Sequence, residues 1–136
     1  MQKSFSGRGI CLNQSKLKVL LVFFGGGLGS ALRYVITRYM NNAETVIPYG
    51  TLLVNIFGSL LIGIVLGLSS KNNLLSQNQT LLLATGFCGG FTTFSAFAFE
   101  NTTFIKNGDY TNFAIYVLGS IIVGVLAVFL GLFLVK

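Results

Sequence analysis

The sequence predicts an all-α membrane protein of four transmembrane helices, the third of them broken in mid-membrane. Three observations carry this prediction. Of 136 residues 53% are hydrophobic, only 9% are charged, and the apolar residues gather into four stretches close to spanning length, with a mean hydropathy of +0.78. A soluble domain carries roughly a quarter charged residues. Here 9 Lys+Arg, 3 Asp+Glu and no His are too few to keep a globular surface wet, and the apolar content equally excludes disorder. The net charge of +6 does not point to nucleic acid, because no run of basic residues exists and most cations sit at the ends of apolar stretches, as membrane flanks do.

About 20 helical residues cross ~30 Å of hydrocarbon. Behind a polar tail of residues 1–15, the membrane domain occupies residues 16–136. Its first span runs from about Val19 to Leu32 and continues through Arg33 and Tyr34 towards Met40. The second runs from about Thr51 to Leu68, behind Pro48, which suits a first helical turn. The third covers about Leu81 to Phe99 and the fourth about Thr111 to Val135, with no charge in either. The linkers Asn41–Tyr49, Ser69–Gln79 and Glu100–Tyr110 are short and polar and leave no room for a soluble domain. Tyr39, Tyr49 and Tyr110 fall at span ends, where amphipathic rings favour the interface. Lys16 and Lys18 before an apolar run resemble the start of a cleaved signal peptide, but three further spans and the Arg33-Tyr34 pair argue against one. Cys11 and Cys88 offer neither a disulfide framework nor a metal-ligand spacing.

Orientation follows from the cations. One side holds Lys3, Arg8, Lys16, Lys18, Lys71 and Lys136, against Arg38 and Lys106 opposite, which favours an inside N-terminus. Lys3 and Arg8 lie far from the membrane, and without them the bias shrinks, so both orientations stay open.

Most of the 17 glycines lie within the spans, where small residues four apart, such as Gly63 and Gly67 or Gly86 and Gly90, let backbones approach closely. Arg33 and Glu100 are the ionisable residues in or beside a span. Arg33 either attracts an anion or snorkels to the interface and pairs with a carboxylate. Nothing resembles an enzyme: there is no His, no paired carboxylate and no nucleophile beside a base. The informative segment is Gly86-Phe87-Cys88-Gly89-Gly90-Phe91-Thr92-Thr93-Phe94-Ser95-Ala96-Phe97. Paired glycines followed by paired threonines weaken the helix where no water can satisfy freed backbone groups, and a break there is tolerated only if it is buried in protein or lines a cavity. A continuous helix with a glycine packing face is the alternative. Phe94 and Phe97 share a helical face, and their electropositive ring edges suit a small anion if they do not simply face lipid or core. Asn55, Ser59, Thr92, Thr93, Ser95, Tyr116 and Ser120 supply donors that can replace an anion's water or bond between helices.

These segments resemble the Fluc family of bacterial fluoride channels, also called CrcB. Gly25-Gly26-Gly27-Leu28-Gly29-Ser30-Ala31-Leu32-Arg33-Tyr34 is similar to the family's first-span motif, Gly50 through Ser59 to its second, and Gly86 through Phe97 to its third and most specific. The resemblance implies an antiparallel, dual-topology dimer that encloses two narrow pores and lets fluoride leave the cytoplasm passively across the bacterial inner membrane, lowering fluoride toxicity. It implies that Phe94, Phe97 and Asn55 line the pore and that Ser95, Tyr116 and Ser120 form a polar track. It further implies a structural Na+ held at the dimer interface by the backbone carbonyls of Gly89 and Thr92, and a structural or vestibule role for Arg33. Ala96 stands where the family commonly has Thr, so one hydroxyl of the track is missing. A homodimer and a heterodimer with a sister chain both fit. The rival readings are a small dual-topology multidrug exporter, which would need an embedded carboxylate to couple protons, and a non-transporting assembly protein held together by glycine packing.

Overall fold

A computed structural model describes residues 7–41, 46–71 and 74–136, with side chains from Asn13 onward. Lys3, the side chains of Arg8 and Cys11, and parts of the first two linkers lie outside the described residues. Within them the regular structure is helical, and four helices are long and apolar enough to cross a membrane.

Helix α1 (Gly7–Met40) has 34 residues, roughly 50 Å at 1.5 Å per residue, against ~30 Å of hydrocarbon. The excess is explained at its N-terminal end, where the helix starts inside the polar tail. Pro48 precedes α2 (Tyr49–Ser70), its fixed φ leading the chain into the first turn. The third span opens with a capping box, in which Ser76 accepts from the Gln79 N–H and Gln79 accepts from the Ser76 N–H. It then proceeds as α3 (Gln77–Thr80), a π-helical stretch (Leu81–Cys88) and α4 (Gly89–Phe91). Thr92 and Thr93 are extended, and α5 (Phe94–Lys106) resumes the helix. The break therefore stands where the paired glycines and threonines place it. A turn closed by Gly108, whose φ of 72° suits glycine, leads to α6 (Tyr110–Leu134). Asp109 caps α6 by accepting from the Asn112 N–H at 3.1 Å.

One expectation needs correction. The stretch from Glu100 to Tyr110 is not all linker, because α5 continues to Lys106. Glu100 is tolerated inside the helix because two hydroxyls from neighbouring spans meet its carboxylate.

Glycine faces decide which helices meet. Along α1, Gly25 and Gly29 lie against backbone atoms of Leu82, Phe87 and Phe91, while Gly90 lies against the backbone of Gly26. The α1 axis is thereby drawn onto the π-helical stretch and α4. Gly63 on α2 and Gly131 on α6 make the same backbone-to-backbone approach on the other side of the bundle. Ser69 and Thr80 hydroxyls bond at 3.0 Å, and the Lys71 ammonium donates to the Lys136 carbonyl at 2.7 Å. These contacts gather the end of α2, the start of the third span and the end of α6 at one end of the molecule.

Candidate functional site

Breaking a helix in hydrocarbon leaves carbonyls and N–H groups that must find new partners. After Phe91 most of them do. Thr92 turns back and donates both its N–H, at 3.0 Å, and its hydroxyl, at 2.9 Å, to the Cys88 carbonyl. Asn55 on α2 clamps Thr93 from both sides: its Oδ1 accepts from the Thr93 N–H at 2.7 Å and its Nδ2 donates to the Thr93 carbonyl at 3.1 Å. The Gly90 carbonyl accepts from Arg33 Nε at 3.1 Å and Ser30 Oγ at 3.3 Å, both on α1. Thr93 Oγ1 accepts from the Ala96 N–H at 3.3 Å, capping α5, and lies 3.3 Å from Ser95 Oγ. Among the described residues no side chain, and no backbone N–H outside the helical ladders, donates to the carbonyls of Gly89, Phe91 or Thr92. Of these three residues, Gly89 and Thr92 line a cavity.

That cavity of about 390 Å³ is open on one side and brings together Asn55, Phe94, Phe97 and Ser120 with Gly89 and Thr92. With Ser59 and Thr93, eight residues singled out from the sequence, drawn from three spans, thus share one wall. The Phe94 and Phe97 rings lie 6.0 Å apart at 45°, and Phe94 is 79% exposed. A large ring this bare is not packed by its own chain. Ser120 Oγ is buried and has no hydrogen-bond partner among the described residues, an unsatisfied hydroxyl on a residue that lines the cavity. Asn55 uses one of its two Nδ2 protons on Thr93, so one donor stays free for the cavity.

Ser95, Tyr116 and Arg33 stand off this wall. Ser95 sits beside Thr93 at the start of α5, and Arg33 is turned to Gly90. Tyr116 is 2% exposed and packs against Phe97 at 5.2 Å and Phe104 at 5.8 Å. Its hydroxyl donates to Glu100 Oε2 at 2.7 Å, while buried Thr51 donates to Glu100 Oε1 at 2.5 Å. Asn41 extends this network by donating to Thr51 Oγ1 at 3.1 Å and accepting from the Gly50 N–H at 2.7 Å. From sequence Glu100 falls at a span edge, and neither Thr51 nor Asn41 carries a site signal of its own. A signal was available: Glu100 follows Phe97 by three residues and so continues the face that Phe94 and Phe97 begin.

The amide clamp makes a prediction. Asn55→Leu removes both bonds and leaves the Thr93 N–H and carbonyl buried without partners, at about 1–3 kcal/mol for each lost group. Thermal unfolding of the purified protein is expected to show the loss, and an unchanged midpoint would mean that the break is held by something else.

The chain matches the family described as "CrcB-like protein, Camphor Resistance (CrcB)" over residues 20–132. A protein of Gloeothece citriformis named "Fluoride-specific ion channel FluC" is 50% identical over 121 residues, 88% of this chain and 98% of the relative. Proteins of the same name from Azobacteroides pseudotrichonymphae and Leptospira interrogans are 43% and 40% identical, over 88% and 92% of this chain and 96% and 98% of the relatives.

Proposed function

The chain belongs to the CrcB family of fluoride-specific ion channels, and we propose that it conducts fluoride out of the cytoplasm as an antiparallel dimer in the bacterial inner membrane. The family is one of channels and not of enzymes, and the chain is a multi-pass membrane protein. Its function is passive fluoride conduction that lowers fluoride toxicity. The observation that carries the mechanism is the shared wall, where two phenylalanines, an asparagine and an unpartnered serine hydroxyl converge beside a broken helix.

Fluoride is small and strongly hydrated, so a narrow path must replace its water with donors at low reorganisation cost. The free Nδ2 proton of Asn55 supplies an N–H donor on the wall, the exposed hydroxyl of Ser95 adds one just off it at the start of α5, and Ser120 lines the same cavity with a hydroxyl that has no other partner. The ring edges of Phe94 and Phe97 supply partial positive charge without the tight hold of a full cation. Tyr116 supports this track from behind, its ring against Phe97 and its hydroxyl on Glu100.

A second copy is the physical counterpart of the open wall. It covers the bare Phe94 ring and closes the groove into a path, and the antiparallel arrangement gives two such paths. A homodimer suffices for this, and a sister chain of opposite orientation is the alternative. The free carbonyls of Gly89 and Thr92 fit a hard cation such as Na+, which prefers oxygen ligands. One chain supplies too few, and an equal pair from the partner would complete the set. Held there, such a cation would offset the partial negative charge of the carbonyls at the break.

Expression of the chain in a bacterial strain that lacks fluoride export is expected to restore growth in fluoride-containing medium. Failure of a membrane-inserted, dimeric protein to restore it would contradict the proposal.

A further inference from the structure

We propose that Arg33, together with Ser30, is a positioning residue for the cation site: by holding the Gly90 carbonyl on α1 it aims the neighbouring Gly89 and Thr92 carbonyls at the cavity. The inference rests on the reading that those two carbonyls hold Na+. Its basis is the distribution of donors around the break. Gly90 ties the broken turn to α1 by hydrogen bonds, its carbonyl taking two donors, Arg33 Nε at 3.1 Å and Ser30 Oγ at 3.3 Å. Gly26 backs the same residue so closely that a Cβ on Gly90 would collide with its backbone. Peptide planes at the end of a helix turn about 100° per residue. Fixing Gly90 towards α1 therefore fixes the Gly89 carbonyl to another side of the helix axis, and Gly89 lines the cavity.

The guanidinium suits this task for two reasons. It donates from a planar, rigid group that stays charged, so the Nε–carbonyl geometry is set by the side chain's own shape. Its charge also stands at the C-terminal end of the half-helix that runs from Gln77 to Phe91, where unpaired carbonyls concentrate negative potential. An intramembrane arginine tied in this way has a role apart from attracting the permeant anion. It does not line the cavity that holds Phe94 and Phe97.

The test measures Na+ dependence separately from flux. Purified wild-type dimer, Arg33→Gln, Arg33→Lys and Ser30→Ala are melted across a Na+ series at constant ionic strength, with choline as the replacement. Backbone hydrogen exchange is followed in parallel over residues 89–94. The proposal expects wild type to be stabilised by Na+ and the half-effect concentration to rise about tenfold or more in Arg33→Gln, as for residues that orient metal ligands. Arg33→Lys, which keeps the charge and loses the planar donor, falls between the two, and Ser30→Ala moves the same way to a smaller extent. Exchange at 89–94 rises in both Arg33→Gln and Ser30→Ala. Wild-type Na+ dependence with the same half-effect concentration and the same exchange in Arg33→Gln would overturn the positioning role. If Arg33→Gln does not fold, Ser30→Ala decides by the same criteria. A wild type indifferent to Na+ refutes the cation reading itself, and the exchange data then stand alone: an unchanged rate in Arg33→Gln overturns the clamp as well.

Discussion

Replacing Phe94 or Phe97 with isoleucine is expected to cut fluoride flux by about tenfold or more while leaving the protein dimeric, which corresponds to removing about 1.4 kcal/mol of stabilisation from the permeating ion. Isoleucine keeps the bulk and the hydrophobicity and loses only the ring. What disappears is the electropositive edge, the one feature of an apolar side chain that can favour a partly dehydrated anion. The two rings are not equivalent in setting. Phe97 is backed by Tyr116 at 5.2 Å, whereas Phe94 is bare within its own chain at 79% exposure. Phe97→Ile therefore also loosens Tyr116, and its melting temperature is expected to fall further than that of Phe94→Ile. Flux measured on size-exclusion-verified dimers separates conduction from assembly, and undiminished flux in both variants would remove the rings from the mechanism.

Gly29→Ala and Gly131→Ala are expected to destabilise the protein by about 3 kcal/mol each, enough to show as a sharply lowered melting temperature. A Cβ on Gly29 would run into the Phe87 carbonyl and the Phe91 N–H, and one on Gly131 into the Leu60 carbonyl and the Ile64 N–H. These are backbone atoms of packed helices, so no rotamer change can yield. Gly27 is the control, because a Cβ there meets nothing within 4 Å in the chain. Gly27→Ala is expected to be neutral or to gain up to ~1 kcal/mol from helix propensity. Equal behaviour of all three variants in thermal unfolding would mean that close approach is not what the glycines provide.

The fold was largely legible, because hydrocarbon leaves few options. Uncharged stretches near spanning length have to be helices, and the Gly89-Gly90 and Thr92-Thr93 pairs mark the weakest point of the third. The cavity wall is legible in part. Spacing puts Phe94 and Phe97 on one face, but only the tertiary fold brings Asn55 and Ser120 from other spans to meet them. The role of Asn55 as a backbone clamp was hidden, since nothing in a sequence says which peptide group a side-chain amide will satisfy. Glu100 is hard to read for the opposite reason. An acid near a span end reads as a linker residue until its two partners, Thr51 at a distance of 49 residues along the chain and Tyr116 at 16, are in place. The start of α1 at Gly7 escaped too, because a polar segment continues a helix as readily as it begins a loop.

The measurement that bears most directly on the central claim is ion release from liposomes loaded with fluoride or chloride, with and without the purified dimer, using a potassium ionophore to clear the opposing voltage. Fast, ionophore-dependent release of fluoride with chloride retained is expected. Release of both anions at similar rates, or of neither from a verified dimer, would contradict that claim.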